Sequence, residues 1–383
     1  MSNFIPVNTP SVGKPELAYL RECIETGWIS SEGAFVAQFE AAWASYCGRQ
    51  YGVAVSSGTS ALEAAVAALD LEPGDEVILP TFTIISCVLA ILKAGATPVL
   101  VDADPVTWCM DIDQVEARLT PATRAIMAVH IYGHPVEMTR LCNLCERTGV
   151  TLIEDAAEAH GAEVNMNRAA TPAAWRRCGS FGAMSAFSFY ANKIVTTGEG
   201  GMVLTDDAGL RDRLRAHRDL YFGRPDRFRH EGIGANFRMT NLQAAVGLAQ
   251  VERIDALVAR KREIGARYTQ ALRDLPGLAL PAEQPWAKNV YWMYGVVLDE
   301  ATDFDARRFA AELKAEGIGS RPFFMGMHAQ PVLRERGLFR DEAYPVAERL
   351  TRQGLYLPSG IALTDAELSR VCDTIQRIFQ GWR

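Results

Sequence analysis

Ser185-Ala-Phe-Ser-Phe-Tyr-Ala-Asn-Lys-Ile-Val-Thr-Thr-Gly-Glu-Gly-Gly-Met-Val-Leu-Thr-Asp206 decides how this chain is read. A lone lysine, Lys193, stands between a strand-like run and a Thr-Gly-Glu-Gly-Gly turn, and its flanks are apolar, alternating and glycine-locked. On an open surface a lysine is a solvated charge. Among flanks of this kind it is expected to be buried, with a lowered pKa, and to serve as nucleophile and base. The chemistry open to such an amine is a Schiff base with a carbonyl cofactor, and pyridoxal phosphate is the commonest of these.

Outward from this segment, residues 51–206 alternate short apolar runs with helical patterns. Strands are predicted at 53–56, 76–79, 98–101, 125–129 and 151–154, with helices at 61–69, 84–92 and 139–147. Such alternation implies an α/β fold with a mostly parallel sheet covered on both faces. Ligands then gather at the carboxyl ends of the strands. Ser57, Asp155 and Lys193 all lie at or just beyond such ends. A helical pattern from 239 to about 275 reads as a connector, so we expect a large domain over 1–250 and a small C-terminal α+β domain over 251–383. Pro276-Gly277 and Pro281 break the connector. Strand-like 291–297, helical 306–316, strand-like 318–321 and a terminal helix from Asp365 follow.

The 383 residues are 49% hydrophobic, enough for a large core, and carry a formal net charge of −7. An acidic surface argues against nucleic acid or an anionic membrane as the main partner. The richest basic stretch, 211–229, is interrupted by Asp212, Asp219 and Asp226. No secretory pattern opens the sequence, so a cytoplasmic protein is expected. The most apolar helical stretch, 83–92, is far shorter than the ~20 residues that span a bilayer. Eight cysteines show no short-spaced framework. The lone Cys142-Asn-Leu-Cys145 pair reads as structural rather than redox or metal-binding, and no metal is expected.

Ser56-Ser-Gly-Thr-Ser-Ala-Leu-Glu63 joins a strand to a helix, where free backbone N–H groups and hydroxyls suit a phosphate; a bare N-cap is the alternative. Ser188, five residues before the lysine, has a hydroxyl for the same anion. In Ile153-Glu-Asp-Ala-Ala-Glu-Ala-His-Gly161, Asp155 closes a strand where a carboxylate keeps a pyridinium protonated as an electron sink; capping of the next helix is the other reading. His160 is read as structural. Phe82 is either a ring that stacks on a cofactor or part of the core.

Together these segments resemble the DegT/DnrJ/EryC1/StrS family of pyridoxal-phosphate-dependent sugar aminotransferases, of fold type I, over nearly the whole chain. Ser57-Gly-Thr-Ser-Ala-Leu62, Gly74-Asp-Glu-Val-Ile-Leu-Pro-Thr-Phe82, Gly95-Ala-Thr-Pro-Val-Leu-Val-Asp102, Glu154-Asp-Ala-Ala157, Thr196-Thr-Gly-Glu-Gly-Gly201 and Asn236-Phe-Arg-Met-Thr-Asn241 occur in family order. The resemblance implies Lys193 as Schiff-base lysine and Asp155 as partner of the ring nitrogen. It implies Ser57, Gly58, Thr59 and Ser188 around the phosphate, Phe82 on the ring, and Asn236 reaching the phosphate of a neighbouring subunit in a homodimer. Glu158 stands where many relatives have glutamine, near the cofactor's phenolic oxygen. Within the family, the segments at 188–202, 26–30 and 236–250 most resemble GDP-perosamine synthases, which aminate C4 of GDP-4-keto-6-deoxymannose. L-glutamate is then the expected donor, with pyridoxamine phosphate between the half-reactions, and the product would enter O-antigens or other surface glycans. Trp28, Ser30, Arg321, Phe323, Phe324 and His328 are the candidate substrate contacts, a structural role for His328 being equally open.

Two departures bear on the substrate. Leu357-Pro-Ser-Gly-Ile-Ala-Leu363 lacks a Thr-His pair found in some perosamine synthases, and 222–231 is a variable loop. A sugar 3-dehydratase on the same scaffold would carry histidine in place of Lys193. A 3-aminotransferase is not excluded by any residue. A regulator without turnover is disfavoured by intact Lys193 and Asp155 and by the lack of a basic arm.

Overall fold

Seven strands form the main sheet of the computed structural model, which describes residues 4–168, 171–223, 226–302 and 304–382. The first three residues of the chain and positions 224 and 225 of the variable loop lie outside it. In spatial order the strands are Tyr51–Val55, Gly201–Thr205, Met184–Ser188, Thr151–Asp155, Thr123–Val129, Glu76–Pro80 and Thr97–Val101. Gly201–Thr205 runs antiparallel to both its neighbours, and the other pairings are parallel. The sheet is therefore mostly parallel, with helices packed on its faces, the arrangement of fold type I.

The strand sequences explain the layering. Glu-Val-Ile-Leu-Pro and Met-Ser-Ala-Phe-Ser are buried on both faces rather than alternately, as strands covered by helices must be. Helix Gly58–Ala67 packs across Met184–Ser188 and Gly201–Thr205. Ser57 starts it, its hydroxyl accepting from Ser60 N, which satisfies one of the N–H groups that a helix start leaves open.

A second sheet, in the order Leu278–Ala279, Tyr294–Leu298, Gly354–Leu357, Arg321–Pro322, is antiparallel. It lies beside helix Ile254–Leu272 and the terminal helix Asp365–Gly381, the latter opened by a Thr364/Glu367 capping box. These elements enclose their own buried cluster around Tyr268, Tyr294, Phe309 and Ile375, to which Ile5 from the start of the chain also belongs. Ile5 bridges to Ile318 and exchanges backbone bonds with Gly317 and Gly319. Phe323, Tyr344 and Leu350 pack instead with the core of the main sheet.

The helical pattern over 239–275 is realised as two helices, Asn241–Val251 and Ile254–Leu272. The break falls at Glu252 and Arg253. The Arg253 guanidinium reaches back to the Ser11 carbonyl and to Glu16, 2.7 Å away, so the chain turns where that side chain is anchored.

Candidate active site

The carboxyl ends of the parallel strands converge on one cavity of about 370 Å³. Tyr51–Val55 delivers Ser57, Gly58 and Thr59; Glu76–Pro80 delivers Thr83, Ile84 and Ser86; Thr123–Val129 delivers Val129 and Ile131. Thr151–Asp155 delivers Asp155 and Glu158, and Met184–Ser188 delivers Ser188, Tyr190, Asn192 and Lys193. Trp292, Phe324 and Tyr356 close the cavity from the second sheet's side.

Lys193 enters on a loop held at several points. Its N–H donates to Tyr190 O, Val195 N–H donates to His160 Nδ1 at 3.2 Å, and Asn192 O accepts from Trp292 Nε1 at 2.8 Å and from Asn8 Nδ2 at 2.6 Å. The Lys193 side chain keeps 10% of its exposure, its Nζ lying 3.8 Å from Glu158 Oε1 and 3.7 Å from the centre of the Trp292 ring. Burial pulls the amine below the usual lysine range, while Glu158 and Asp155 pull it back up. Glu158 is pushed up to about 7 by burial, against the opposing pull of Lys193 and of the Tyr132 N–H that it accepts at 2.7 Å. Tyr132 makes that bond from the left-handed region, φ 51, a conformation that costs a non-glycine residue about 1 kcal/mol or more. Burial thus draws the amine and the acid toward each other, lowering the one and raising the other.

Strand alternation sorts the two acids that end Thr151–Asp155, Glu154 and Asp155. Glu154 faces away from the cavity, fully buried, 3.0 Å from His130 Nε2 and accepting from Gly179 and Phe181 N–H. Asp155 faces into it: Oδ1 accepts from Ala157 N and Oδ2 lies 3.2 Å from the Cys87 thiol. Burial beside this carboxylate raises the Cys87 pKa well above the thiol range, so sulfur is the donor. His160 lies outside the cavity, its ring edge on Trp43, and burial pushes it down to about 3. The ring is neutral, and its Nδ1 accepts from the lysine loop.

At the far end, the first turn of Gly58–Ala67 offers backbone N–H groups without intrahelical acceptors. A Cβ at Gly58 would lie 2.6 Å from Ser188 Cβ, and one at Gly201 would lie 2.2 Å from Ser57 O. The Thr-Gly-Glu-Gly-Gly turn therefore presses its backbone on the helix start, and Thr59 and Ser86 hydroxyls meet at 2.8 Å. This is a cradle for a small anion, with an amine and a carboxylate deeper in the same cavity. Among the described residues no group of three or more His, Cys, Asp and Glu side chains is arranged to hold a metal ion.

The structure brings together Ser57, Gly58, Thr59, Asp155, Glu158, Ser188 and Lys193. It does not bring Phe82 to the wall. That ring is fully buried against Tyr132, Phe323 and Phe324, because the turn at Thr81–Thr83 presents Thr83 and Ile84 instead. Phe323 is likewise buried, between Trp108 and Tyr132, and its neighbour Phe324 lines the cavity. His328 bonds Thr81 Oγ1 at 2.8 Å and borders a separate cavity. Arg321 is exposed and pairs across the sheet with Tyr356. Trp28, Ser30 and Asn236 lie away from this wall: the carbonyls of Trp28 and Ser30 accept from Asn241, and Asn236 is exposed.

Sequence reading missed Trp292, Ile84, Cys87, Tyr132 and Tyr356. Ile84 and Cys87 follow a strand's carboxyl end, a signal that was available. Trp292 read as strand, whereas the strand begins at Tyr294 after a left-handed turn at Tyr291, φ 49.

A model of the DegT/DnrJ/EryC1/StrS aminotransferase family matches residues 10–376. The chain is 39% identical to GDP-perosamine synthase of Caulobacter vibrioides over 98% of each chain. It is 38% identical to GDP-perosamine synthase of Escherichia coli O157:H7, over 98% of this chain and 99% of that one. Among solved structures it is similar to S. venezuelae DesV in complex with a ketimine intermediate, with a TM-score of 0.87 and 33% identity over 95% of this chain and 94% of that one.

Proposed function

The chain belongs to the DegT/DnrJ/EryC1/StrS aminotransferase family, and from that premise we propose that it moves an amino group from L-glutamate to C4 of GDP-4-keto-6-deoxymannose. The products are GDP-perosamine and 2-oxoglutarate, and the cofactor is pyridoxal 5'-phosphate. The observation that carries the reading is the single cavity in which a buried amine, an inward carboxylate and a helix N-terminus meet.

That donor set fits the cofactor: Lys193 for its aldehyde, Asp155 for its ring nitrogen, and Gly58, Thr59, Ser57 and Ser188 for its phosphate. When bound, the cofactor supplies an electron sink for a carbanion. Lys193, with its pKa lowered by burial, would hold the cofactor's aldehyde as nucleophile and, once freed, would carry the proton in each half-reaction. Glu158, at about 7, takes up or returns that proton 3.8 Å away. Asp155 would meet the ring nitrogen, its carboxyl kept in place by Ala157 N–H and the Cys87 thiol. Ile131, Trp292 and Phe324 give the cavity apolar walls.

The likeness to two GDP-perosamine synthases supports the guanine nucleotide and the C4 position. A homodimer with a shared site is part of the proposal. It is supported by the exposed Asn236 and by Ile24, Trp28 and Ile29, apolar side chains left open in the single chain. Trp28, Ser30 and Arg321 are the proposed substrate contacts. No helix among the described residues is long and apolar enough to cross a membrane, and the proposed place of action is the cytoplasm.

The test is mass spectrometry after incubation with pyridoxal phosphate, glutamate and GDP-, dTDP- or UDP-linked 4-keto-6-deoxy sugars in parallel, with NMR to locate the new amine. Amination of the GDP-linked sugar alone at C4 is expected. Amination of another nucleotide sugar overturns the substrate; deoxygenation at C3 overturns the transferase reading.

A further inference from the structure

Helix Ile254–Leu272 buries Lys261 at 2% exposure. Among the described residues it has no ion pair, and burial alone pushes its pKa down to about 7. Burying an ammonium without an anion is strongly unfavourable, and a methionine would fill the same space without that penalty. What the lysine adds is its donors. Nζ donates to Trp292 O at 2.7 Å and also to Ser359 O. Ser359 in turn donates its N–H to Val7 O and accepts from Tyr294 N–H on its hydroxyl.

Trp292 is the residue through which this reaches the cavity. It precedes the strand Tyr294–Leu298, so no ladder bond fixes its backbone. Its ring lies 3.7 Å from Lys193 Nζ, and its Nε1 donates at 2.8 Å to the carbonyl of Asn192, the residue before Lys193. Both faces of the catalytic amine's placement, the loop carbonyl and the ring it rests on, therefore depend on where Trp292 stands.

We infer that Lys261 is a positioning residue for amino transfer: by holding the Trp292 carbonyl it fixes the indole against Lys193 Nζ and on the Asn192 carbonyl. The inference rests on the reading of Lys193 as the amine that engages the cofactor. Asn8, whose Nδ2 shares the Asn192 carbonyl, is a second support of the same loop.

The experiment compares full-length wild type with Lys261→Met, Lys261→Gln and Trp292→Phe, each reconstituted with pyridoxal phosphate. The pH midpoint of the cofactor's visible absorbance, kcat and KM for the ketosugar, and the Tm of the cofactor-free protein are measured. Lys261→Met is expected to fold with an unchanged or higher Tm. Its absorbance midpoint moves by about half a unit or more, the scale of a cation–π contact. Its kcat falls about tenfold or more, since sub-ångström misplacement of a reacting group is costly, with KM changed less than about threefold. Lys261→Gln, whose uncharged amide has two N–H donors but stands one bond shorter, recovers part of the loss. Trp292→Phe keeps the ring and deletes the Asn192 bond, so its midpoint also moves; should Lys261→Met fail to fold, this variant decides. Wild-type midpoints and kcat in Lys261→Met, or in Trp292→Phe where only that variant folds, overturn the inference. A wild type that shows no cofactor band refutes the role of Lys193, and this inference with it.

Discussion

Replacing Glu158 by glutamine isolates what the second carboxylate does to the lysine. The amide keeps the volume and an oxygen to accept the Tyr132 N–H, and it removes a negative charge 3.8 Å from Lys193 Nζ. At that separation an effective dielectric of about 20 gives an attraction of about 4 kcal/mol, or about three pH units on the amine as an upper bound. Asp155 remains and the cavity rehydrates in part, so a fall of about one to three units is expected. The sign follows from the causes: burial lowers the lysine's pKa and the carboxylates raise it, so losing one lowers it further. Timed acetylation of the cofactor-free protein from pH 6 to 10, read by mass spectrometry on the Lys193 peptide with exposed Lys14 as reference, measures the midpoint. An unmoved Lys193 midpoint would refute the pairing. Stability provides a second readout. Glu158 binds its proton more tightly folded than unfolded, so its contribution is full below about pH 4.5 and is lost as pH rises through about 7. In Glu158→Gln that decline disappears from the urea midpoints.

Lys193→Ala is expected to lose multiple-turnover amination to below about 1% of wild type while keeping its circular dichroism spectrum; retained turnover with saturating cofactor would sink the assignment. Gly58→Ala places a Cβ 2.6 Å from Ser188 Cβ, an overpacking of about 1–3 kcal/mol. Cofactor affinity, measured by fluorescence titration, should fall about tenfold, and adding Ser188→Gly should restore the room; wild-type affinity in the single variant contradicts the cradle. His160, held neutral with a pKa of about 3 by burial, contributes stability that is present above about pH 6.5 and lost as pH falls toward 3. Between pH 6.5 and 4 the loss is about 3 kcal/mol, and His160→Gln should flatten that acid limb in urea unfolding; an equally steep limb argues that other groups carry it.

The residues that the sequence reveals are those whose position the backbone decides. Ser57, Asp155 and Lys193 stand at or beyond strand ends, and a parallel sheet with short connections puts such ends side by side, so periodicity alone predicts their meeting. Side-chain direction after a turn is another matter. Phe82 and Ile84 are two residues apart and both apolar, and it is the turn closed by Thr83 N–H on Thr81 O, with the distant rings of Tyr132, Phe323 and Phe324, that takes Phe82 inward and leaves Ile84 on the cavity. The helix break at Arg253 depends on Glu16, 237 positions away, and leaves no trace in the local pattern. Lys261 is the sharpest case. Within a helix of mixed charge it reads as one more solvated lysine, and its neighbours in sequence give no reason to bury it. The reason lies in two carbonyls 31 and 98 residues further on, one in a segment that reads as strand and the other in a loop. A charge on a helix face is a solvent signal only when nothing distant claims its donors; where a buried lysine has no carboxylate, the backbone it holds is the place to look for its purpose.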